Sequence, residues 1–157
     1  MTAREAAWNA IPKIKNHALG DRVYVQAQQI WVTLIAFVEG KKPKTSATRE
    51  SAVRTITYGD VASLMGFDDR RAGHVISRQL SIVANYCRLS NLPCLNALVV
   101  SQATQQPGDE VILTPGNSIK KEQLAVLNHD WFQHRVPTTG TFRQVWEAMQ
   151  QYGSYEE

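Results

Sequence analysis

The chain has 157 residues, 43% hydrophobic and 20% charged, with a net charge of +3 and a sequence pI near 9.0. That length fits one domain of ordinary size, and that apolar content supports a packed core, which excludes a disordered chain. Two cysteines, Cys87 and Cys94, are too few for a disulfide-stapled secreted scaffold, and the longest apolar run, residues 30–38, is about half of what a membrane-spanning helix needs.

Taken in chain order, Thr2 caps a first helix over residues 3–10, with Glu5 favourably placed in its first turn. Pro12 interrupts the pattern, and Gly20-Asp21 marks a turn. A second helix is predicted over 22–38, because Val23, Ala27, Ile30, Trp31, Leu34, Ile35 and Val38 recur at helical spacing, and Gly40 is expected to end it. Residues 41–54 are basic, rich in Ser and Thr and carry Pro43, which reads as a loop. Lys41, Lys42 and Lys44 make it either a segment lying along phosphates or a plain solvated linker.

Thr57 precedes a short helical pattern with Val61, Ala62, Leu64 and Met65, and Asp60 three residues on makes a near capping box; Gly66 closes it. Asp68 or Asp69 then caps a longer helix over 70–89, with an apolar stripe of Val75, Ile76, Leu80, Val83, Ala84 and Cys87. Two helices joined by a turn of a few residues form a helix-turn-helix pattern. Asn91 to Pro93 breaks the second helix. Residues 95–100 and 111–113 are short β-rich runs on either side of a polar loop, 101–108, and together they read as a wing. Two amphipathic segments follow, 119–134 and 141–152. No internal repeat or low-complexity tract is visible.

The expected fold is therefore mainly α with a small β wing. A winged helix-turn-helix core over 55–113 is flanked by N-terminal helices (1–40), the basic loop (41–54) and a C-terminal helical segment (114–157), all in one domain.

Charge is distributed unevenly. Residues 1–54 carry nine Lys and Arg against four Asp and Glu, residues 55–108 four against three, and residues 109–157 four against seven. A basic front with an acidic back suits a nucleic-acid binder, and a solvated surface shows the same asymmetry. The N-terminus has no apolar run of signal-peptide length, so a cytoplasmic protein with reduced thiols is expected.

Catalytic patterns are missing from the sequence: no nucleophile elbow, phosphate-cradling glycine loop, paired metal-binding histidines or dinucleotide fingerprint occurs. No enzyme, metal or cofactor is expected on that ground. His129 and Asp130, beside Trp131, read as helix-surface or capping residues. In a helix-turn-helix the start of the second helix meets base edges. Here that stretch offers Arg70, Arg71, Gly73 and His74, with Ser77 and Arg78 one turn on. Arg is the usual bidentate partner of guanine and phosphate. Asp68 and Asp69 oppose close phosphate approach and suit N-capping. Gln102, Thr104, Gln105 and Gln106 on the polar loop suit phosphate or minor-groove contact, or a plain polar turn.

The runs TITYGDVASLMG (55–66), RRAGHVISRQL (70–80), LPCLNALVVS (92–101) and PG (107–108) together resemble the DNA-binding domain of alkylguanine-DNA alkyltransferases and alkyltransferase-like proteins. The resemblance covers about a third of the chain. It implies a winged helix, with Tyr58 at the DNA backbone and Pro93-Cys94 matching the Pro and the alkyl-accepting Cys. Leu95 and Asn96 stand where the family has His and Arg, so the relay that forms the thiolate is missing. Gly73 stands where the family has the arginine that fills the gap left by the flipped base. The pattern is also similar to a small winged-helix module of phage and mobile-element proteins, in which the reactive cysteine is absent.

These readings make double-stranded DNA the expected partner and a non-enzymatic regulator or lesion sensor the expected function. One alternative is a phage-type inhibitor that binds a host protein of a nucleic-acid-handling complex. The second is an alkyltransferase using Cys94. The sequence does not set the oligomeric state.

Overall fold

The structure is a computed structural model and describes residues 1–10, 22–41, 53–67, 76–109 and 111–155. Helix α1 spans Ala3–Ala10. Its start is a reciprocal capping box: Thr2 Oγ1 accepts the Glu5 amide at 3.1 Å, and Glu5 Oε2 accepts the Thr2 amide at 2.6 Å. Helix α2 spans Arg22–Lys41. It runs through Gly40 rather than ending there. The predicted apolar stripe is its buried face, with Ala27, Ile30, Trp31, Leu34, Ile35 and Val38 all in the core.

Strand β1 (Ile56–Thr57) leads directly into helix α3 (Tyr58–Leu64). Thr57 is the N-cap, its hydroxyl accepting the Asp60 amide at 3.1 Å. Gly66 follows the helix in the left-handed region at φ 93°, which a residue with a Cβ adopts only with strain.

Helix α4 spans Ser77–Leu89. Residues 70–75 of the predicted helix, and Asp68 and Asp69 of the turn expected before it, lie outside the described residues, and Ile76 is the N-cap of α4. Leu80, Ile82, Val83, Ala84 and Cys87 are all fully buried, so this helix is covered on most of its faces and forms the centre of the molecule. Burying one Leu or Ile side chain to this degree contributes about 1.5–3 kcal/mol. Helices α2 and α6 (Thr139–Tyr152) pack against it. Edge-to-face aromatic pairs stitch these elements together: Trp31 to Tyr86 at 5.4 Å, Tyr86 to Phe142 at 5.6 Å and Trp31 to Trp131 at 5.8 Å between centroids.

The β-rich run at 95–100 is corrected by the structure. Leu95–Leu98 is a 3₁₀ turn, and only Val99–Val100 is a strand, β2. The turn forms because its backbone is held from outside. Gln123 Nε2 donates to the Ala97 carbonyl at 2.8 Å, and Asn96 Nδ2 donates to the Leu80 carbonyl, which anchors the turn on α4. Strand β2 does not form a hairpin with 111–113. It pairs in parallel with β1, Ile56 opposite Val99 and Thr57 opposite Val100, and among the described residues 111–113 carries no strand.

The predicted helix over 119–134 divides in two. Helix α5 spans Ile119–Asn128, and a 3₁₀ turn covers Trp131–Gln133. His129 is extended between them, which swings the fully buried Trp131 into the core. Its indole N–H donates to the Val126 carbonyl at 2.8 Å, which at this helix C-terminus also takes the His129 amide at 3.4 Å. Helix α6 starts two residues before the predicted 141, because Thr138 Oγ1 caps it by accepting the Thr141 amide at 3.0 Å. The protein is thus mainly helical around a two-stranded parallel sheet. Among the described residues, no helix is long and apolar enough to cross a membrane.

Candidate nucleic-acid interface

The parallel pairing of β1 with β2 sets two chain exits side by side. One is the start of α3, where Tyr58 follows Thr57. The other is loop 101–108, which follows Val100. Tyr58 closes the gap between them: its hydroxyl accepts the Gly108 amide at 2.6 Å, fifty residues on. Tyr58, the tyrosine expected at a DNA backbone, is a brace that fastens the far end of the loop to the helix.

The loop itself is internally bonded. The Ser101 amide donates to the Gln106 carbonyl at 2.9 Å, and the Gln105 amide donates to the Ser101 carbonyl at 2.8 Å. Ser101 Oγ and Thr104 Oγ1 accept the amides of Ala103 and Gln106, both at 3.2 Å. Gln105 sits at φ 57°, a left-handed conformation uncommon for a residue with a side chain. Its Nε2 donates to the Gln102 carbonyl at 3.0 Å. Residues 102–106 are all exposed, so Gln102, Thr104, Gln105 and Gln106 stand on a short ordered projection beside α3.

No family model, curated protein or solved structure matches this chain.

The other candidates are divided. Ser77 and Arg78 are exposed on the first turn of α4. Arg78 is engaged by α6, its guanidinium carbon 5.0 Å from the centre of the Trp146 ring. Lys41 is the last residue of α2. Arg70, Arg71, His74, Lys42 and Lys44 lie outside the described residues, as do Asp68, Asp69 and Gly73.

Cys94 is fully buried. Burial pushes its thiol up to about 12, against the smaller opposing effect of the Asn96, Ile112 and Ala97 backbone N–H groups. Burial likewise raises the Cys87 thiol well above its ordinary value. Both cysteines are free and protonated at neutral pH, and a protonated, enclosed thiol is a poor nucleophile.

The polar group that organises this region is Glu122, which sequence reasoning missed. It is fully buried on α5. Its Oε1 accepts the amides of Cys94 at 3.0 Å and Thr114 at 3.1 Å and the Thr114 hydroxyl at 2.9 Å, and its Oε2 accepts Asn117 Nδ2 at 2.6 Å. A carboxylate has room for about four such bonds, and here that capacity is used. Glu122 thereby ties the Pro93-Cys94 segment to the stretch 114–117 that follows the loop. The signal was the phase of α5: Val126 and Leu127 face the core, and Glu122 and Gln123 lie one turn earlier on the same face.

His129 and His134 also meet, Nε2 to Nε2 at 2.7 Å, with ring planes 5° apart and centroids 4.9 Å apart. The sequence pattern predicts a helix-surface or capping residue at His129. It is the C-cap of α5 and also half of a histidine pair lying against Trp131. The near-parallel rings and short N···N distance describe an edge-to-edge bond in which one ring donates and the other accepts. Among the described residues, no group of three or more His, Cys, Asp or Glu side chains is arranged to hold a metal.

Proposed function

We propose that this protein binds duplex DNA without catalysis, as a regulator or lesion sensor, through a helix-turn-helix with loop 101–108 in the position of a wing. The observation that carries this reading is the Tyr58–Gly108 bond. It joins the N-terminus of α3 to a polar, exposed loop, which supports reading the two as one face. Arg70 and Arg71, at the expected start of the second helix, would supply the charge, and the exposed glutamines of the loop the neutral hydrogen bonds. Lys41, Lys42 and Lys44 would add phosphate contacts. The burial of Cys94 favours binding over alkyl transfer.

An electrophoretic mobility shift with random duplex and single-stranded DNA, at low and moderate salt, tests the reading. The expected result is a shift of duplex DNA that weakens in Arg70→Ala/Arg71→Ala. Its log–log dependence on salt should have a slope of roughly −4 to −6, as five or six neutralised phosphates require. No shift at low salt and micromolar protein overturns it.

A further inference from the structure

Two apolar surfaces of this chain are left exposed to solvent. The first is α1. Its eight residues are all exposed, and Trp8 leaves 66% of its surface to solvent. A helix this short is marginal in water on its own, even with good formers such as its four alanines and a capping box. Such a helix is stabilised mainly by something it packs against. The second surface is a recess of about 420 Å³ between α2 and α3, walled by Val32, Leu64 and Val136. These three are 50%, 67% and 50% exposed, which is unusual for large apolar side chains gathered at one place. Gln28, Gln29 and Thr33 line the same recess.

We propose that the recess between α2 and α3 is the docking site for α1 of the same chain, with Trp8 as the anchor. An indole has an apolar body and a single N–H that needs a partner when buried. The recess has matching chemistry, with apolar walls and the amide and hydroxyl oxygens of Gln28, Gln29 and Thr33. Gln28 is already fixed in place, its Nε2 donating to the Pro137 carbonyl at 2.9 Å, which leaves its side-chain oxygen as an acceptor in the lining.

Chain length makes the same-chain occupant the favoured one. Residues 11–21 connect α1 to α2, and a chain of that length spans up to about 36 Å. The recess begins one turn into α2, at Val25, so the tether exceeds what is needed. Such a tether gives an effective concentration on the order of millimolar, above that of a second copy at ordinary working concentrations. Docking removes the exposed indole and the three exposed aliphatic side chains from water together.

A nitroxide attached to Arg4→Cys tests this in the full chain, because Arg4 is exposed, lies one turn from Trp8 and takes no part in the capping box. Cys87 and Cys94 are buried and do not compete for the label. The expected result is paramagnetic broadening of the amide resonances of Val32, Thr33 and Leu64, unchanged on dilution and lost in Trp8→Ala. Both substitutions are at exposed positions and leave the core intact. Broadening seen only on mixing spin-labelled unenriched protein with unlabelled ¹⁵N protein assigns the recess to a second copy and overturns the proposal. So does an absence of broadening at these residues, or broadening that survives Trp8→Ala.

Discussion

The carboxylate of Glu122 accepts the amide of Cys94 at 3.0 Å, across twenty-eight residues of sequence and from a different element. The same oxygen accepts two donors from Thr114, and its twin accepts Asn117. Glu122→Gln keeps the shape but turns one acceptor atom into a donor, which then faces a donor already in place. The expected cost is about 2–4 kcal/mol, the range for breaking hydrogen bonds to a buried charged group. Urea unfolding measures it as a lower midpoint at an unchanged slope. A loss under 1 kcal/mol would mean that the cluster relaxes around the substitution.

The two thiols give a prediction of pH dependence. Burial raises Cys94 from 9.0 to about 12 in the folded protein, and Cys87 is raised as well. Below pH 9 both thiols keep their protons in the folded and the unfolded chain alike, and the linkage contribution is fully present. As pH rises past 9 the unfolded chain loses thiol protons that the folded chain retains, so stability falls from there toward pH 12. A thiol-reactive disulfide reagent should find no reactive cysteine in the native protein at pH 8 and two in denaturant. Rapid native labelling of Cys94 would reopen the alkyl-acceptor reading.

Local signals in the sequence proved readable, and those that depend on distant partners did not. Thr57 is legible as an N-cap because the whole device lies within four residues. The apolar stripe of α2 is legible because helical spacing alone selects Ala27, Ile30, Trp31, Leu34 and Val38. The strand expected over 95–100 fails for the opposite reason. Its β-rich composition is local, but the 3₁₀ turn is imposed by Leu80 and Gln123, sixteen residues before Asn96 and twenty-six after Ala97. In the candidate site, Tyr58 and Gly108 are each legible as motif residues, while the bond between them is not, since it is a product of the β1–β2 pairing. A glutamate on an amphipathic helix reads as solvent-facing until the phase of Val126 and Leu127 is followed back one turn to Glu122.

Tyr155, beyond α6, is fastened to the central helix by Asn85. Its Oδ1 accepts the Tyr155 amide at 2.6 Å, and its Nδ2 donates to the Ser81 carbonyl at 2.8 Å. Arg88, one turn on, has its guanidinium carbon 5.5 Å from the centre of the Tyr155 ring. Asn85→Ala removes both bonds at a buried position, for an expected loss of about 1–2 kcal/mol. Hydrogen exchange should speed at the Tyr155 amide while the amides of α2 keep their protection. Uniform loss of protection would mean that Asn85 supports the core as a whole.

Tyr58→Phe separates the brace from the helix that carries it. The ring stays, the hydroxyl goes, and the Gly108 amide loses its 2.6 Å acceptor. A neutral hydrogen bond of this kind is worth about 1 kcal/mol net. Exchange at Gly108 should quicken while the amides of α4 remain slow. If loop 101–108 acts with α3 as one DNA face, loosening it should weaken duplex binding by about fivefold, the equivalent of that energy. The slope with salt should stay unchanged, because no phosphate contact by a cation is removed. Faster exchange at Gly108 with unchanged affinity would take the loop out of the interface and leave the helix pair to bind alone.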